Sequence, residues 1–288
     1  AALQMRREGG SMIKLIASDI DGTLVPDGSD KINPEIFSVI LKLKAYGIYF
    51  AAASGRPWKS IARLFAPIQD QIFYIAENGA YVGARGRELF VTPMDTEDIY
   101  QIVRQVRELK DCDVMVSGRD VVYLESKNPV LLHYLIDGYH NDVVQTEDIT
   151  TFREESGEIP EFIKVSIYHQ GYDAIHAAGD RMIPLWSKKL KVVTAGKEWL
   201  DMMQPEVNKG AALQKLQESL FATKQETMVF GDNLNDIEMI KRAEYSYAIG
   251  NAREEVKQAA HFIADTNVND GVLKVLKELL KTLEEKEN

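Results

Sequence analysis

Asp19 and Asp21, in the run Asp19-Ile20-Asp21-Gly22-Thr23-Leu24, follow directly on the apolar stretch Met12-Ile13-Lys14-Leu15-Ile16-Ala17-Ser18. Side chains alternate along extended chain, so residues two apart point the same way and the two carboxylates can share one site. Like charges that close need a cation or a proton between them. A second acidic cluster, Gly231-Asp232-Asn233-Leu234-Asn235-Asp236, follows the apolar Met228-Val229-Phe230. Carboxylates delivered by two strand ends form an oxygen-rich set suited to a hard cation such as Mg²⁺, whereas Zn²⁺ prefers His and Cys. Ser54-Gly55-Arg56 follows a third apolar run, and Pro57 then opens a helix. A hydroxyl and backbone N–H groups at a helix start make an anion site. Asn208-Lys209-Gly210 begins a further helix and supplies a point positive charge that can neutralise a phosphate.

The elements around these residues predict how they are held. A nearly continuous apolar strand is typical of a parallel sheet covered on both faces, and ligands of such sheets gather beyond the strands' carboxyl ends. After the first strand, Asn33 as N-cap and Pro34 at the first helical position open a helix over 34–46, which Gly47 closes. A strand over 48–53, a helix from Pro57 to about Ala66 and a strand over 72–76 continue the alternation, which implies right-handed crossovers and a parallel sheet. The C-terminal part resumes it with helix 209–220, strand 227–230, helix 235–242, strand 245–249, helix 252–260 and helix 271–284, with fraying over 284–288. The expected fold class is α/β: a Rossmann-like parallel-sheet core domain, 12–83 and 205–288, with an inserted α+β cap domain over 84–204. Inside the insertion the pattern predicts helix 96–109, a hairpin of strands 113–117 and 121–125 about Gly118-Arg119-Asp120, and helix 129–137. Strand 161–168, helix 172–182 and strands 190–194 and 198–203 about Ala195-Gly196-Lys197 complete it. Ala80 to Phe90 reads as the entry hairpin, and Ala1 to Ser11 as a disordered tail with no apolar segment for a secretory signal.

The 288 residues are 45% apolar and 27% charged, the balance of a globular chain with a substantial core. A formal net charge of −10 argues against nucleic acid, whose phosphates demand a basic surface. No apolar stretch approaches the about 20 residues of a membrane-spanning helix, so no membrane partner is expected. Cys112 is the only cysteine, which excludes an intramolecular disulfide and a thiolate metal cluster and suits a reducing, cytoplasmic compartment. The five histidines are scattered without ligand-like spacing, and no Gly-x-Gly-x-x-Gly follows the first strand to suggest a dinucleotide.

Taken singly, each motif is also an ordinary strand exit or helix cap. In order, all after apolar strands, they resemble the haloacid dehalogenase superfamily, and within it the Cof-type phosphatases that carry a class 2, subtype B cap. Asp19 to Leu24 is similar to that family's first motif, Ser54-Gly55-Arg56-Pro57 to its second, Lys209 to its third and Gly231 to Asp236 to its fourth. Ala76-Glu77-Asn78-Gly79-Ala80, Asn251-Ala252 and Asp270-Gly271-Val272 also resemble the family, whereas the cap does so only in element order.

The resemblance implies a Mg²⁺-dependent phosphatase of small phosphorylated metabolites, sugar phosphates foremost, working through an aspartyl-phosphate. It implies Asp19 as nucleophile and Asp21 as acid and base. It places Mg²⁺ on Asp19, the backbone carbonyl of Asp21 and Asp232, with Asp236 nearby or bound through water. Phosphate oxygens fall to Ser54, Lys209, Asn235 and the N–H groups of Asp21, Gly22 and Gly55, while Thr23 orients the acid. Arg56 is either a gate pairing with a cap carboxylate or a solvated arginine, and Asn78 either a turn residue or a substrate contact. A sugar phosphomutase and a non-catalytic module that binds a phosphorylated ligand are the alternatives. Oligomeric state is open.

Overall fold

The computed structural model describes residues 12–26, 29–195 and 197–287. The expected N-terminal tail and Gly196, the middle of the expected Ala195-Gly196-Lys197 turn, lie outside the described residues.

In chain order the first segment gives β1 (Leu15–Asp19), α1 (Glu35–Ala45), β2 (Tyr49–Ala53), α2 (Trp58–Leu64), β3 (Phe73–Ala76), β4 (Tyr81–Ala84) and β5 (Arg87–Val91). Asn33 accepts the Glu35 N–H at 3.0 Å through its side chain, and Gly47 closes α1 at φ +78. The middle segment gives α3 (Thr96–Val106), β6 (Cys112–Gly118), β7 (Val122–Leu124), α4 (Pro129–His133), β8 (Val143–Gln145), β9 (Phe162–His169), α5 (Asp180–Trp186), β10 (Lys191–Ala195) and β11 (Trp199–Met203). The last segment gives α6 (Lys209–Ser219), β12 (Thr227–Gly231), α7 (Ile237–Ile240), β13 (Tyr245–Ala248), α8 (Glu254–Ala259), β14 (Phe262–Ile263) and α9 (Gly271–Glu287).

These fall into two compact units. One holds the described residues up to Arg56, then Ile61–Phe90 and those from Asn208 onward; the other holds Pro57–Ser60 and Val91–Val207. The first unit carries an eight-stranded sheet of order β14-β13-β12-β1-β2-β3-β4-β5, parallel from β14 through β3. The chain builds outward from β1 to β3, then returns to lay β12, β13 and β14 on the other side of β1. The strand order therefore reverses between β1 and β12, and a crevice opens at the carboxyl ends of strands at such a reversal. Both strands are fully buried, as their unbroken apolar runs require.

The second unit carries a six-stranded sheet of order β10-β11-β9-β6-β7-β8, antiparallel except for β7 with β8. One hydrophobic cluster gathers Val114, Val116, Val165, Ile167, Leu200 and Met202 with Ile99, Val103 and Met182 of α3 and α5. A second gathers Met115, Leu124, Tyr168 and Trp199 with Leu131 of α4.

Several boundaries differ from expectation. The entry hairpin expected over 80–90 forms as β4 and β5, but the two-residue turn Arg85-Gly86, with Gly86 at φ +71, lays β5 beside β4 as the edge strand of the first unit's sheet, past the expected start of the insertion at 84. The helix read over 172–182 is a π-helical turn followed by α5, which runs through Pro184 to Trp186. The helix read over 129–137 ends likewise in a π-helical turn, and that over 235–242 begins as a 3₁₀ turn. β8 and β14 are too short, at three and two residues, to show a period. α9 stays helical to Glu287, where fraying was expected from 284.

Candidate active site

At the strand-order reversal, β1 ends in Asp19 and the loop after β12 carries Asp232 and Asp236. One carboxylate oxygen from each of the three lies within 4.8 Å of the others. Lys209, the first residue of α6, reaches into this group: its Nζ donates to Asp19 Oδ1 at 2.5 Å and to Asp236 Oδ1 at 2.7 Å. Asn208 starts that helix by accepting the Ala211 N–H through its side chain at 2.7 Å. Gly210 brings α6 against the start of α7, since a Cβ there would stand 2.5 Å from the Glu238 carbonyl oxygen. Asp236 is wholly buried and also accepts the N–H groups of Asp232 and Asn233, each at 3.0 Å, so it pins both the lysine and the loop.

Lys209 is 1% exposed and Asp19 5%. Burial pulls the ammonium down, but Asp19 and Asp236 outweigh it and hold Lys209 above its ordinary value. Burial, and after it the Asp236 carboxylate, pushes Asp19 well above the usual carboxylate range, with Lys209 pulling the other way. Burial also pushes Asp232 up to about 6; the Thr23 hydroxyl works against this and Asp236 with it. When all three carboxylates are ionised, the one ammonium leaves an excess of two negative charges, which a divalent cation in place of the protons would match. All donors are oxygens, the set that Mg²⁺ takes in preference to softer metals. The residues present therefore fit the cation.

The turn after β1 is tightly fixed. Gly22 sits at φ +83, and a Cβ on it would stand 2.4 Å from Asp232 Oδ2. Its carbonyl accepts from the side chains of Asn251 at 2.8 Å and Asn267 at 3.0 Å. Asn251 was singled out with Ala252 as resembling the family but given no role, and Asn267, a lone side-chain amide far along the chain, gives no local signal of one.

Asp21 is not one of the three grouped acids. β1 stops at Asp19, so strand alternation no longer governs Asp21, and its carboxylate turns to Arg56. Arg56 Nε donates to Asp21 Oδ2 at 2.9 Å, and the adjacent Nη2 donates to Oδ1. Arg56 is thus paired with the acid beside it in the same unit. Thr23, expected to orient Asp21, instead donates to Asp232 Oδ1 at 2.6 Å, because the turn folds it back with its N–H on the Ile20 carbonyl. The Gly22 N–H, expected to meet a phosphate oxygen, donates to the Val25 carbonyl at 2.8 Å.

Ser54 opens the loop after β2, 2% exposed, with its Oγ accepting the Arg56 N–H at 3.1 Å. Its hydroxyl hydrogen can point elsewhere. A Cβ on Gly55 would meet the Asn78 amide at 3.3 Å. Asn78 and Gly79 both have positive φ, +57 and +103; the Asn78 N–H donates to the Ser54 carbonyl, and Asn235 donates to Asn78 Oδ1 at 3.2 Å. Ser54, Asn78 and Asn235 thus form one linked group. Cys112 stays inert, its thiol pushed up to about 11 by burial and by Asp113 and Asp111.

A parallel α/β sheet with opposed acids and a buried lysine at its strand-order reversal defines an enzyme built to handle an anion beside a cation. The chain belongs to the haloacid dehalogenase-like hydrolase family, whose model matches residues 16–276. It is similar to YbjI of Escherichia coli (strain K12), a 5-amino-6-(5-phospho-D-ribitylamino)uracil phosphatase, at 28% identity over 93% of this chain and 97% of the relative. A solved structure from Eubacterium rectale shares 39% identity with a TM-score of 0.82, covering 93% of this chain and 99% of that one. The subclass IIB sugar phosphatase BT4131 of the same superfamily shares the fold, with a TM-score of 0.75 at 22% identity over 92% of this chain and 98% of its own. The chain is a phosphoric monoester hydrolase of this family. No helix among the described residues is long and apolar enough to cross a membrane.

Proposed function

We propose that this protein is a Mg²⁺-dependent phosphatase that hydrolyses small phosphorylated sugars or polyols through a phosphorylated Asp19. The observation that carries the reading is the buried Lys209, bonded at once to Asp19 and Asp236 within a group of three acids. Asp19, Asp232 and the Asp21 carbonyl would hold Mg²⁺, with Asp236 behind them, and the ion would supply the charge that lets a carboxylate approach a phosphate. The name of the Escherichia coli relative, a phosphatase of a phosphoribityl compound, supports a polyol chain as the leaving group.

A carboxylate oxygen of Asp19 attacks phosphorus in line, and the bond from phosphorus to the substrate oxygen breaks. Asp21 gives its proton to that leaving oxygen. Water then attacks the phosphorus of the acyl phosphate, passing a proton to Asp21 and freeing Asp19. Such acid and base help contributes roughly 10²–10⁴ in rate. Arg56 holds both oxygens of Asp21 as a carboxylate before the substrate arrives, so Asp21 gives up one of those bonds and takes a proton from solvent before it acts as the acid. Ser54, Asn235, Lys209 and the Gly55 N–H hold the non-bridging oxygens as charge moves onto them.

The test is phosphate release from a panel of sugar, polyol and nucleoside phosphates, with Mg²⁺ and with EDTA. Release that depends on Mg²⁺ and falls away in Asp19→Asn is expected. Full release in EDTA, or an Asp19→Asn protein as active as wild type, overturns the reading.

A further inference from the structure

Between β3 and β4, in the first unit, three successive residues hold a positive φ: Glu77 at +50, Asn78 at +57 and Gly79 at +103. Glycine takes that region freely and asparagine at little cost, but glutamate does not. All three are buried, Glu77 to 1% exposure and Asn78 to 8%. Ala76 of β3 pairs with Tyr81 of β4, so residues 77–80 make the whole connection. Hairpin connections of that length are most often built around a type I turn, whose central residues are right-handed. Joining the two strands therefore does not require a left-handed run. Strained backbone of this kind persists where surrounding contacts hold it, and it gathers at functional sites.

The contacts that hold it lead to three stretches of the first unit. The Asn78 N–H donates to the Ser54 carbonyl and the Glu77 N–H to the Arg56 carbonyl, each at 3.0 Å, so the turn runs along the loop that carries Ser54 and Gly55. A Cβ on Gly79 would stand 2.5 Å from the Asn208 carbonyl oxygen, so the turn abuts the residue that precedes Lys209. The third contact belongs to the Asn78 side chain, whose Oδ1 accepts from Asn235 Nδ2 at 3.2 Å. Asn235 is exposed on the loop after β12, and its amide group has two N–H donors. Fixing one of them on Asn78 directs the other. An amide oxygen turned toward Asn235 cannot also serve a phosphate, because both are acceptors.

We propose that Asn78 is a positioning residue, which acts through Asn235 and does not itself touch the substrate. Its left-handed backbone brings the carboxamide to Asn235 while its N–H stays on the Ser54 carbonyl, so one residue sets the spacing of two groups that meet the same phosphate. The inference rests on the phosphatase reading above, which gives Ser54 and Asn235 to the non-bridging oxygens.

The experiment is a double-substitution cycle. Calorimetry with Mg²⁺ present gives the dissociation constant of inorganic phosphate for wild type, Asn78→Gly, Asn235→Ala and the protein carrying both. Glycine keeps the left-handed backbone and the N–H on Ser54 and removes the carboxamide, so the thermal midpoint should stay within a few degrees of wild type. Each single substitution is expected to weaken phosphate binding about tenfold, one hydrogen bond's worth, and the pair no more than either alone. Asn78→Asp keeps an oxygen for Asn235, so adding Asn235→Ala to it should still cost about tenfold. Asn78→Ser, too short to reach Asn235, runs the same cycle if Asn78→Gly fails to fold. Additive losses, full phosphate affinity in Asn78→Gly, or a loss that only follows the thermal midpoint overturns the positioning role and leaves the phosphatase reading standing, and a wild type that holds no phosphate also overturns the role. Coupled losses in a wild type that binds phosphate but hydrolyses no ester leave the role standing and overturn the phosphatase reading instead.

Discussion

Two lysines of this chain are buried against aspartates, one in each unit, and their surroundings differ in charge. Lys209 meets Asp19 and Asp236 with Asp232 beside them, so acids outnumber the base and burial drives Asp19 and Asp232 upward. Lys164 meets Asp201 with Ser166 and Ser117 beside it, one charge of each sign among hydroxyls. The first group has more acids than bases, a surplus that a cation would match. The second is complete in charge. Residue types alone do not distinguish the two; the count of charges within hydrogen-bonding reach does.

The largest expected difference is in turnover. Asp19→Asn should lower kcat on the order of 10⁴-fold, as loss of a nucleophile does. Asp201→Asn, in the other unit, should leave kcat largely unchanged. Steady-state kinetics on one polyol phosphate decides this, and equal effects of the two substitutions on kcat would dissolve the distinction.

Stability offers the next contrast. Removing one partner from a buried pair costs about 3–5 kcal/mol, so Lys209→Met and Lys164→Met should each lower the unfolding free energy by roughly that much. Replacing both partners should repair only the second group. Lys164→Met with Asp201→Leu is expected to regain most of the loss, because neither charge of the buried pair is left without its partner. Lys209→Met with Asp19→Leu is not, because Asp232 and Asp236 remain. Urea unfolding with and without Mg²⁺ reads both, and added Mg²⁺ should help the Lys209 variant alone.

A smaller effect lies in pH. The folded protein holds the Asp232 proton up to about 6, against an ordinary 3.8. For a carboxyl raised by folding, the contribution to stability is fully present below the unfolded value and is lost as pH rises through about 6. A cation competes with that same proton. Stabilisation by Mg²⁺ should therefore grow between about pH 5 and about pH 7, and calorimetric scans at the two values would show it. A gain independent of pH would remove Asp232 from the cation group.

The smallest effect concerns the turn between the acids. Gly22→Ala places a methyl where Asp232 Oδ2 now stands, at a φ that suits glycine. It should destabilise by about 1–2 kcal/mol and weaken Mg²⁺ binding. Neutral behaviour of that variant in thermal unfolding would show that Asp232 has room to move.

The first group was legible in the sequence because each of its members follows a buried strand or opens a helix, positions that composition marks. Asp19, Asp232, Asp236 and Lys209 could be read from that context, and so could the strand alternation of the first sheet. The partner of Asp21 could not, because it depends on where β1 stops, a single-residue matter that apolar patterning does not resolve. Thr23 was misjudged for the same reason: a positive φ at Gly22 redirects it to Asp232. The second group left a trace that was passed over. In Phe162-Ile163-Lys164-Val165-Ser166-Ile167 and Trp199-Leu200-Asp201-Met202-Met203, a charge interrupts a strand whose other residues are buried. Only the register of β9 with β6 and β11 brings those interruptions together, and register between strands so far apart in sequence is not written in any one of them.

The proposed function stands on Asp19 carrying the phosphoryl group during turnover. Its most direct test is a rapid acid quench of wild type and Asp19→Asn mixed with a hydrolysed phosphate ester and Mg²⁺, followed by mapping of protein-bound phosphate to peptides. Phosphate is expected on the wild-type peptide that contains Asp19 and none on the variant. Wild-type turnover with that peptide never labelled, or label elsewhere in an active Asp19→Asn protein, would contradict it.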